Sequence, residues 1–452
     1  MKYEQTVETL PAGIMTCFIG DEEVGILEFS PSHIKIRRAE KFSESLKPLK
    51  LVFFDQKNKL YQTYIVEHIL WNEPMEQEFW WEYCGGIQDE QYRDNISFIL
   101  LQYYNYVVLK GEAVDNSFSK KLIGYPAEKD EIFDEDYVSW NSRQWKKVRE
   151  SDFLNKILAL DVELAVTLDH PQWYQWFLEE DLQEISDSKE MCFERNVIFQ
   201  KSNRVYIGNQ FCHHLFPQKE ILFFLMEKAL EQKKEITLVF TYLREELRKE
   251  TECMLDTIYQ WCKEKKTVLE ILVNDLGMLA MLAEKEEYFV LCYGTLLNRR
   301  RKDPRYIYKN QMEEDWEILK ENSLNDEKYC NWLRNKGVKR LEYESGGYEV
   351  NLSRNLSNCF QGGTMHLPMY QTNTSQYCTL RAVCENQDRG KQNFVRNCPK
   401  YCSSYVCMYP MHLQMIGQYN SLFAVDWNLL DYPEILKKYK AEGMDRIVWN
   451  LE

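Results

Sequence analysis

Residues 204–243 read RVYIGNQFCHHLFPQKEILFFLMEKALEQKKEITLVFTYL, and the alternation in this stretch decides the fold. VYIGN is a short apolar strand, Pro217 opens a helix that runs to Glu231, and ITLVFTYL is a second apolar strand. The unit then repeats, with a charged helix over Arg244 to Lys265, the strand VLEILVND (268–275), a helix from Leu276 to Glu284 and the strand YFVLCYG (288–294). Apolar strands separated by helices predict a parallel sheet covered on both faces. No glycine-rich phosphate loop marks a nucleotide crevice, so a TIM-like β/α barrel is favoured over a doubly wound sheet. Val338 to Glu344 and Thr364 to Tyr370 are further strand candidates, and the barrel domain is assigned to residues 161–452.

Residues 126–160 read as a linker and helical transition. The segments around Trp140, Trp145, Trp173 and Trp176 are expected to form helical packing between domains, with Asp169-His170-Pro171 as a turn. Residues 1–125 read as a small β-rich domain. Gly13 to Ile19, Gly25 to Phe29, His33 to Arg37, Leu49 to Phe54 and Leu60 to His68 are strand-like runs broken by polar punctuation. Glu78 to Tyr83 and Ile96 to Lys110 are placed as continuations of that sheet. GILEFSPSHIKIRRAEKF followed by LKLVFF resembles a degenerate PilZ barrel. In the turn where that family has D/N-x-S-x-x-G, Glu28 holds the first position, Ser30 matches and His33 replaces the glycine, and no arginine precedes the turn. Paired guanidinium groups are what grip a guanine edge and a phosphate, so cyclic-dinucleotide binding is not expected to accompany the resemblance.

The 452 residues exceed one ordinary core, and 44% hydrophobic with 28% charged residues is a globular composition. The start, MKYEQTVETLPAG, lacks a basic segment followed by an apolar one, and no apolar run is long enough to span a membrane, so a cytoplasmic location is expected. The formal charge of -15 disfavours broad attraction to polyanions or anionic membranes.

Between His366 and Cys407 the chain places Cys378, Cys384, Cys398, Cys402 and Cys407 close together, in a sequence that otherwise spaces its thiols widely. In a reducing compartment such density points to a shared metal rather than disulfides. The spacing fits three ligands of an iron-sulfur site, and structural zinc uses the same thiolate chemistry. On a parallel β/α scaffold the chemistry gathers at the carboxyl ends of strands. Cys212 follows VYIGN there, so it is expected to meet Cys378, Cys398 and Cys402 on one rim.

VYIGNQFCHHLFP, VNDLGMLAM, HLPMYQTNTSQYC and the closing C-x19-C-x3-C together resemble the collagenase-like peptidase family U-thirty-two over roughly residues 160–452. The nearest branch is that of the partner protein of oxygen-independent ubiquinone hydroxylation. The resemblance implies a β/α barrel with a 4Fe-4S cluster held by Cys212, Cys378, Cys398 and Cys402, with Cys384 or Cys407 able to replace a ligand. It also implies a redox or accessory role in hydroxylation or RNA modification, a second family member as heterodimer partner, and a quinone-like or RNA substrate. Zinc in place of the cluster, a peptidase, and a noncatalytic scaffold are the alternatives. H-E-x-x-H and G-x-S-x-G are both absent, which leaves the peptidase label little chemical support.

Other polar residues invite two readings each. His213 and His214 fit support of the thiols or helix capping, and His366 fits substrate orientation or a satisfied core position. Asp275 fits helix capping or proton transfer. Glu342 and Glu344 alternate on one strand and so face one side, as candidates for acid-base work if that side is the barrel interior. Arg299, Arg300, Arg301, Lys302 and Arg305 form the one dense basic run, read as a solvated helix face or loop with RNA backbone as the alternative.

Overall fold

The structure is a computed structural model that describes residues 15–20, 22–42, 48–55, 60–112, 133–180, 193–283, 285–300, 302, 316–354, 356–386, 390–408 and 415–450. The chain divides into two compact units, one within residues 1–126 and the other within 127–452.

The first unit is antiparallel. Its strands are β1 (Met15–Ile19), β2 (Glu22–Phe29), β3 (His33–Arg38), β4 (Leu49–Asp55), β5 (Leu60–Val66), β6 (Ile69–Trp71), β7 (Met75–Glu76) and β8 (Trp81–Ile87). They order as β5-β4-β1-β2-β3-β8-β6, with β7 beside β8. Ile96 to Lys110 is not a strand but part of the helix Glu90–Glu112. Its buried Tyr92, Ile96, Ile99 and Leu100 recur at helical spacing, and Asp89 Oδ1 accepts the Tyr92 N–H at 2.8 Å to cap its start. At the PilZ-like turn, His33 bridges Ser30 Oγ (2.7 Å from Nδ1) and Glu28 Oε1 (3.1 Å from Nε2).

The second unit is a closed barrel of eight parallel strands: β9 (Glu163–Leu168), β10 (Arg204–Gly208), β11 (Glu235–Val239), β12 (Leu269–Val273), β13 (Phe289–Tyr293), β14 (Val338–Glu344), β15 (Gly362–Leu367) and β20 (Met444–Trp449). β20 pairs with both β15 and β9 and so closes the ring. Helices cover the outside because their apolar faces repeat at helical spacing. The helix Lys219–Glu231 buries Leu222, Leu225, Met226 and Ala229, and Arg248–Lys265 buries Leu255, Ile258 and Cys262. Each fully buried aliphatic side chain of this kind contributes roughly 1.5–3 kcal/mol.

The helical transition before the barrel is formed by Phe133–Glu150 and Phe153–Leu158, while residues 126–132 lie outside the described residues. Trp145 and Phe153 pack on Trp449 at ring distances of 5.7 and 6.2 Å, so these helices belong to the barrel's own core.

The expected strand Thr364 to Tyr370 is two strands, broken at Pro368, which has no N–H to offer a ladder. The second half, β16 (Met369–Thr374), leaves the barrel and joins β17 (Cys407–Met408), β18 (Met415–Gln418) and β19 (Ser421–Val425) in an antiparallel sheet ordered β16-β19-β18-β17. This sheet is an insertion between the barrel strands β15 and β20. Among the described residues no helix is long and apolar enough to cross a membrane.

Candidate thiol site and barrel mouth

Cys212 owes its position to the turn that leaves β10. Gly208 has φ +113°, and a Cβ there would stand 2.3 Å from the Val239 carbonyl oxygen, so only glycine fits where the strand ends. Asn209 is buried, and its Oδ1 accepts the N–H groups of Phe211 (2.8 Å) and Cys212 (2.9 Å), which folds the chain back on itself. The other three proposed ligands come from the insertion. Cys378 begins the helix Thr379–Asn386, where its sulfur lies 3.1 Å from the Tyr419 carbonyl oxygen and receives the Arg381 N–H at 3.3 Å. Cys398 receives the Lys400 N–H at 3.4 Å, and Lys400 takes a left-handed conformation (φ 58°) that leads into the turn carrying Cys402.

These thiols share one electrostatic environment. Burial pushes Cys212 up to about 11, opposed by the His214 N–H and raised further by Cys398. Burial likewise takes Cys378 up to about 12, with Cys212, Cys398 and Cys407 adding to the rise after the opposing Arg381 N–H. Cys402 is raised by burial first and then by Cys212, Cys378 and Cys398. The four residues singled out from sequence therefore lie within charge-charge reach of one another, and Cys407 lies near Cys378. Among the described residues, however, no group of three or more His, Cys, Asp and Glu side chains has the arrangement of a metal-ion site.

A small cavity is lined by Cys212, Cys378 and Cys398 together with Arg244, Arg381 and Phe394 among others. Arg244 is buried, has no carboxylate partner among the described residues, and sits over the rings of Tyr242 (5.3 Å), Tyr377 (4.9 Å) and Phe394 (5.8 Å). Its charge favours the Cys212 thiolate. His213 is pushed down to about 3, chiefly by burial and then by His214 and Arg244, and its Nε2 has no hydrogen-bond partner among the described residues. His213 and His214 thus flank the thiols rather than cap a helix. His170, expected in a loop or at a helix start, caps the helix Pro171–Glu179 by accepting the Gln172 N–H at 3.3 Å, and its Nε2 meets Ser403 Oγ at 3.2 Å beside Cys402.

A second, larger cavity opens at the carboxyl ends of the barrel strands. Its polar wall comes from the barrel, with Thr167, Tyr206, Glu344, His366 and Asn450, and its apolar wall from the insertion, with Met369, Ile416, Tyr419 and Phe423. Phe211 lines both cavities, so one ring separates the barrel mouth from the thiol space. Glu342 and Glu344 both face the interior. Glu342 is fully buried and holds His366 Nε2 at 2.7 Å, and it also accepts Tyr206 Oη at 3.2 Å. Arg446 donates to the same Tyr206 oxygen at 3.0 Å.

Of the basic run, Arg299 is exposed as expected, whereas Lys302 and Arg300 are engaged by the fold. Burial lowers the Lys302 ammonium against the opposing pull of Glu344, and it sits between Glu344 Oε2 (2.6 Å) and Gln371 Oε1 (2.8 Å). Arg300 lies over the Tyr348 ring at 5.0 Å and donates to the Glu344 carbonyl at 3.3 Å. Buried partners compete with the solvent or phosphate contacts expected of these two cations. Arg301 and Arg305 lie outside the described residues. Asp275 is a cap: its Oδ1 accepts the Gly277 and Met278 N–H groups at 2.6 and 3.2 Å. Sequence reasoning missed Arg244, whose aromatic stacking partners Tyr377 and Phe394 lie far along the chain.

No protein-family model matches the chain. No curated protein matches it either. Among solved structures, an uncharacterised protein of Legionella, Lpg0364, aligns over 23% of this chain and 96% of its own at 10% identity with a TM-score of 0.17, a likeness that carries no argument.

Proposed function

We propose that this chain is an iron-sulfur protein of the collagenase-like peptidase family U-thirty-two, in which Cys212, Cys378, Cys398 and Cys402 hold a 4Fe-4S cluster next to a substrate pocket at the barrel mouth. The observation that carries the reading is that the β10 loop and the distant insertion bring these four thiols within mutual electrostatic reach, three of them, Cys212, Cys378 and Cys398, on the wall of one cavity. A zinc ion with Zn–S bonds of about 2.3 Å draws its four sulfurs tightly together. A polynuclear cluster binds the same thiolates around its corners.

The chain's own groups fit the negative charge of four thiolates on such a cluster. Arg244 places a buried cation beside Cys212, and the N–H groups of Arg381 and Lys400 point at the sulfurs of Cys378 and Cys398. The cluster would supply one-electron transfer at a potential set by those hydrogen bonds and by burial. Phe211 separates it from the mouth cavity, and Tyr419, on the mouth wall, contributes the carbonyl that meets Cys378. In this reading the protein has a redox or accessory role in oxygen-independent hydroxylation or RNA modification, alongside a second family member. The antiparallel unit is a degenerate PilZ-like module for docking or spacing. Its Glu28-His33-Ser30 hydrogen bonds occupy the turn that would otherwise meet a nucleotide.

The test is anaerobic purification of the full chain followed by iron, sulfide and zinc quantitation. The expected result is about four irons and matching sulfide per chain, lost in Cys398→Ser and Cys402→Ser. One equivalent of zinc without sulfide would overturn the cluster assignment.

A further inference from the structure

Independently of the thiols, we propose that the barrel mouth is a proton-transfer site in which His366 is the acid-base and Glu342 its positioning residue. The ligand class is an uncharged molecule with an ionisable O–H, N–H or activated C–H on one edge and an apolar flank. His366 and Glu342 sit on neighbouring strands, β15 and β14, at 2% and 0% exposure, with Nε2 and Oε2 2.7 Å apart. Glu342 also accepts from Tyr206, which itself receives the Arg446 guanidinium. In the tautomer that donates from Nε2 to Glu342, Nδ1 keeps its lone pair. Nδ1 has no hydrogen-bond partner among the described residues, and His366 lines the mouth cavity.

A base held by a buried carboxylate, with its second nitrogen toward a cavity, is the arrangement that general-base catalysis uses. The ligand's proton passes to Nδ1 while the electron pair of the broken bond stays on the ligand. The resulting imidazolium is stabilised by Glu342. Tyr206, whose ring lies 5.7 Å from that of His366, faces the dyad from β10, Arg446 stands on β20, which pairs directly with β15, and Asp169 and Glu344 are the carboxylates on the cavity wall. The cavity lining includes those two carboxylates and no lysine or arginine, so it suits an uncharged ligand better than a phosphate or carboxylate. Met369, Ile416 and Phe423 supply the apolar side.

The probe is 5-nitrobenzisoxazole, which is uncharged and reports proton abstraction optically. The base takes the C3 hydrogen as a proton, its electron pair forms the nitrile, the N–O bond breaks, and a coloured phenolate leaves. The full-length protein is expected to turn it over saturably, with an acid limb set by one ionisation. His366→Gln should lower the rate about a hundredfold or more. Glu342→Gln keeps an acceptor for Nε2 but removes the negative charge that stabilises the imidazolium. Its acid limb should therefore move to lower pH, a change that loose packing alone would not produce. Gln418→Trp, which fills the cavity from the insertion and leaves the dyad intact, should also reduce turnover to background and carries the test if His366→Gln fails to fold. Unchanged turnover in His366→Gln or in Gln418→Trp, or no saturable turnover by the parent chain, would overturn the proposal.

Discussion

At the amino-terminal end of the barrel interior, Glu163, Arg204, Glu270, Arg340 and Arg446 pair among themselves, with Arg204 Nε at 2.7 Å from Glu163 and Arg446 Nη1 at 2.6 Å from Glu270. Further along the same strands, Thr167, Gly208, Glu344 and Asn450 border a cavity. Both ends use polar residues facing inward. The first end pairs most of its charged groups with one another, whereas the second keeps open space beside a His–Glu pair and next to the thiols. The difference separates a region that holds the barrel closed from one that is built to receive a molecule, as strand direction in parallel β/α barrels would have it.

The largest expected effect comes from breaking the closed end. Glu270→Ala would leave Arg204, Arg340 and Arg446 without the carboxylate they share. Removing one partner of a buried ion network costs about 3–5 kcal/mol. Thr167→Ala at the mouth should stay within about 1 kcal/mol. Urea unfolding of the two variants decides the matter, and equal losses would erase the distinction between the ends.

Acid offers the same contrast without mutation. Burial alone would raise the Glu270 carboxyl, but the hydrogen bonds and charge of Arg446, then Arg204 and Arg340, overrule it and hold the group at about 2. A folded value below the unfolded one, near 4.3, means that its contribution is fully present above that unfolded value and is lost as pH falls toward 2. Stability of the parent chain should therefore drop across that window, and Glu270→Gln should flatten the drop. An unaltered acid profile in Glu270→Gln would show that the closed end does not control it.

Much of the barrel could be read in advance because β10 to β13 are short, mostly apolar runs, and β10, β11 and β12 are each followed by a helix with its own apolar stripe. The strands that close the ring, β9 and β20, escaped notice. They carry Glu163 and Arg446 inward, and these residues look like surface charges until their partners are known, 283 positions apart. The thiol set was visible as spacing near Cys378 and as a strand-end position at Cys212. Arg244 and His170 were not, since what makes each of them part of the site is a ring or hydroxyl brought close only by folding. The segment Ile96 to Lys110 misled because its run of aromatic and aliphatic residues suits either a strand or a buried helix face, and Asp89 settles it by capping.

The smallest effect tests whether every carboxylate near the mouth belongs to the chemistry. Asp275 ends the loop after β12, where a catalytic reading was open from sequence, yet its Oδ1 is engaged by two backbone N–H groups at the start of the helix Leu276–Leu282. Those N–H groups have no partner within the helix, so the side chain does a job that water would do less well. Asp275→Ala should cost about 1 kcal/mol, as loss of a helix cap does. Asp275→Asn should recover most of that, because the amide oxygen accepts the same bonds. Iron content and benzisoxazole turnover should stay at the parent level in both variants. If either fell while the unfolding midpoint held, Asp275 would belong with His366 among the groups that act on a ligand, and the working part of the mouth would extend to the β12 loop.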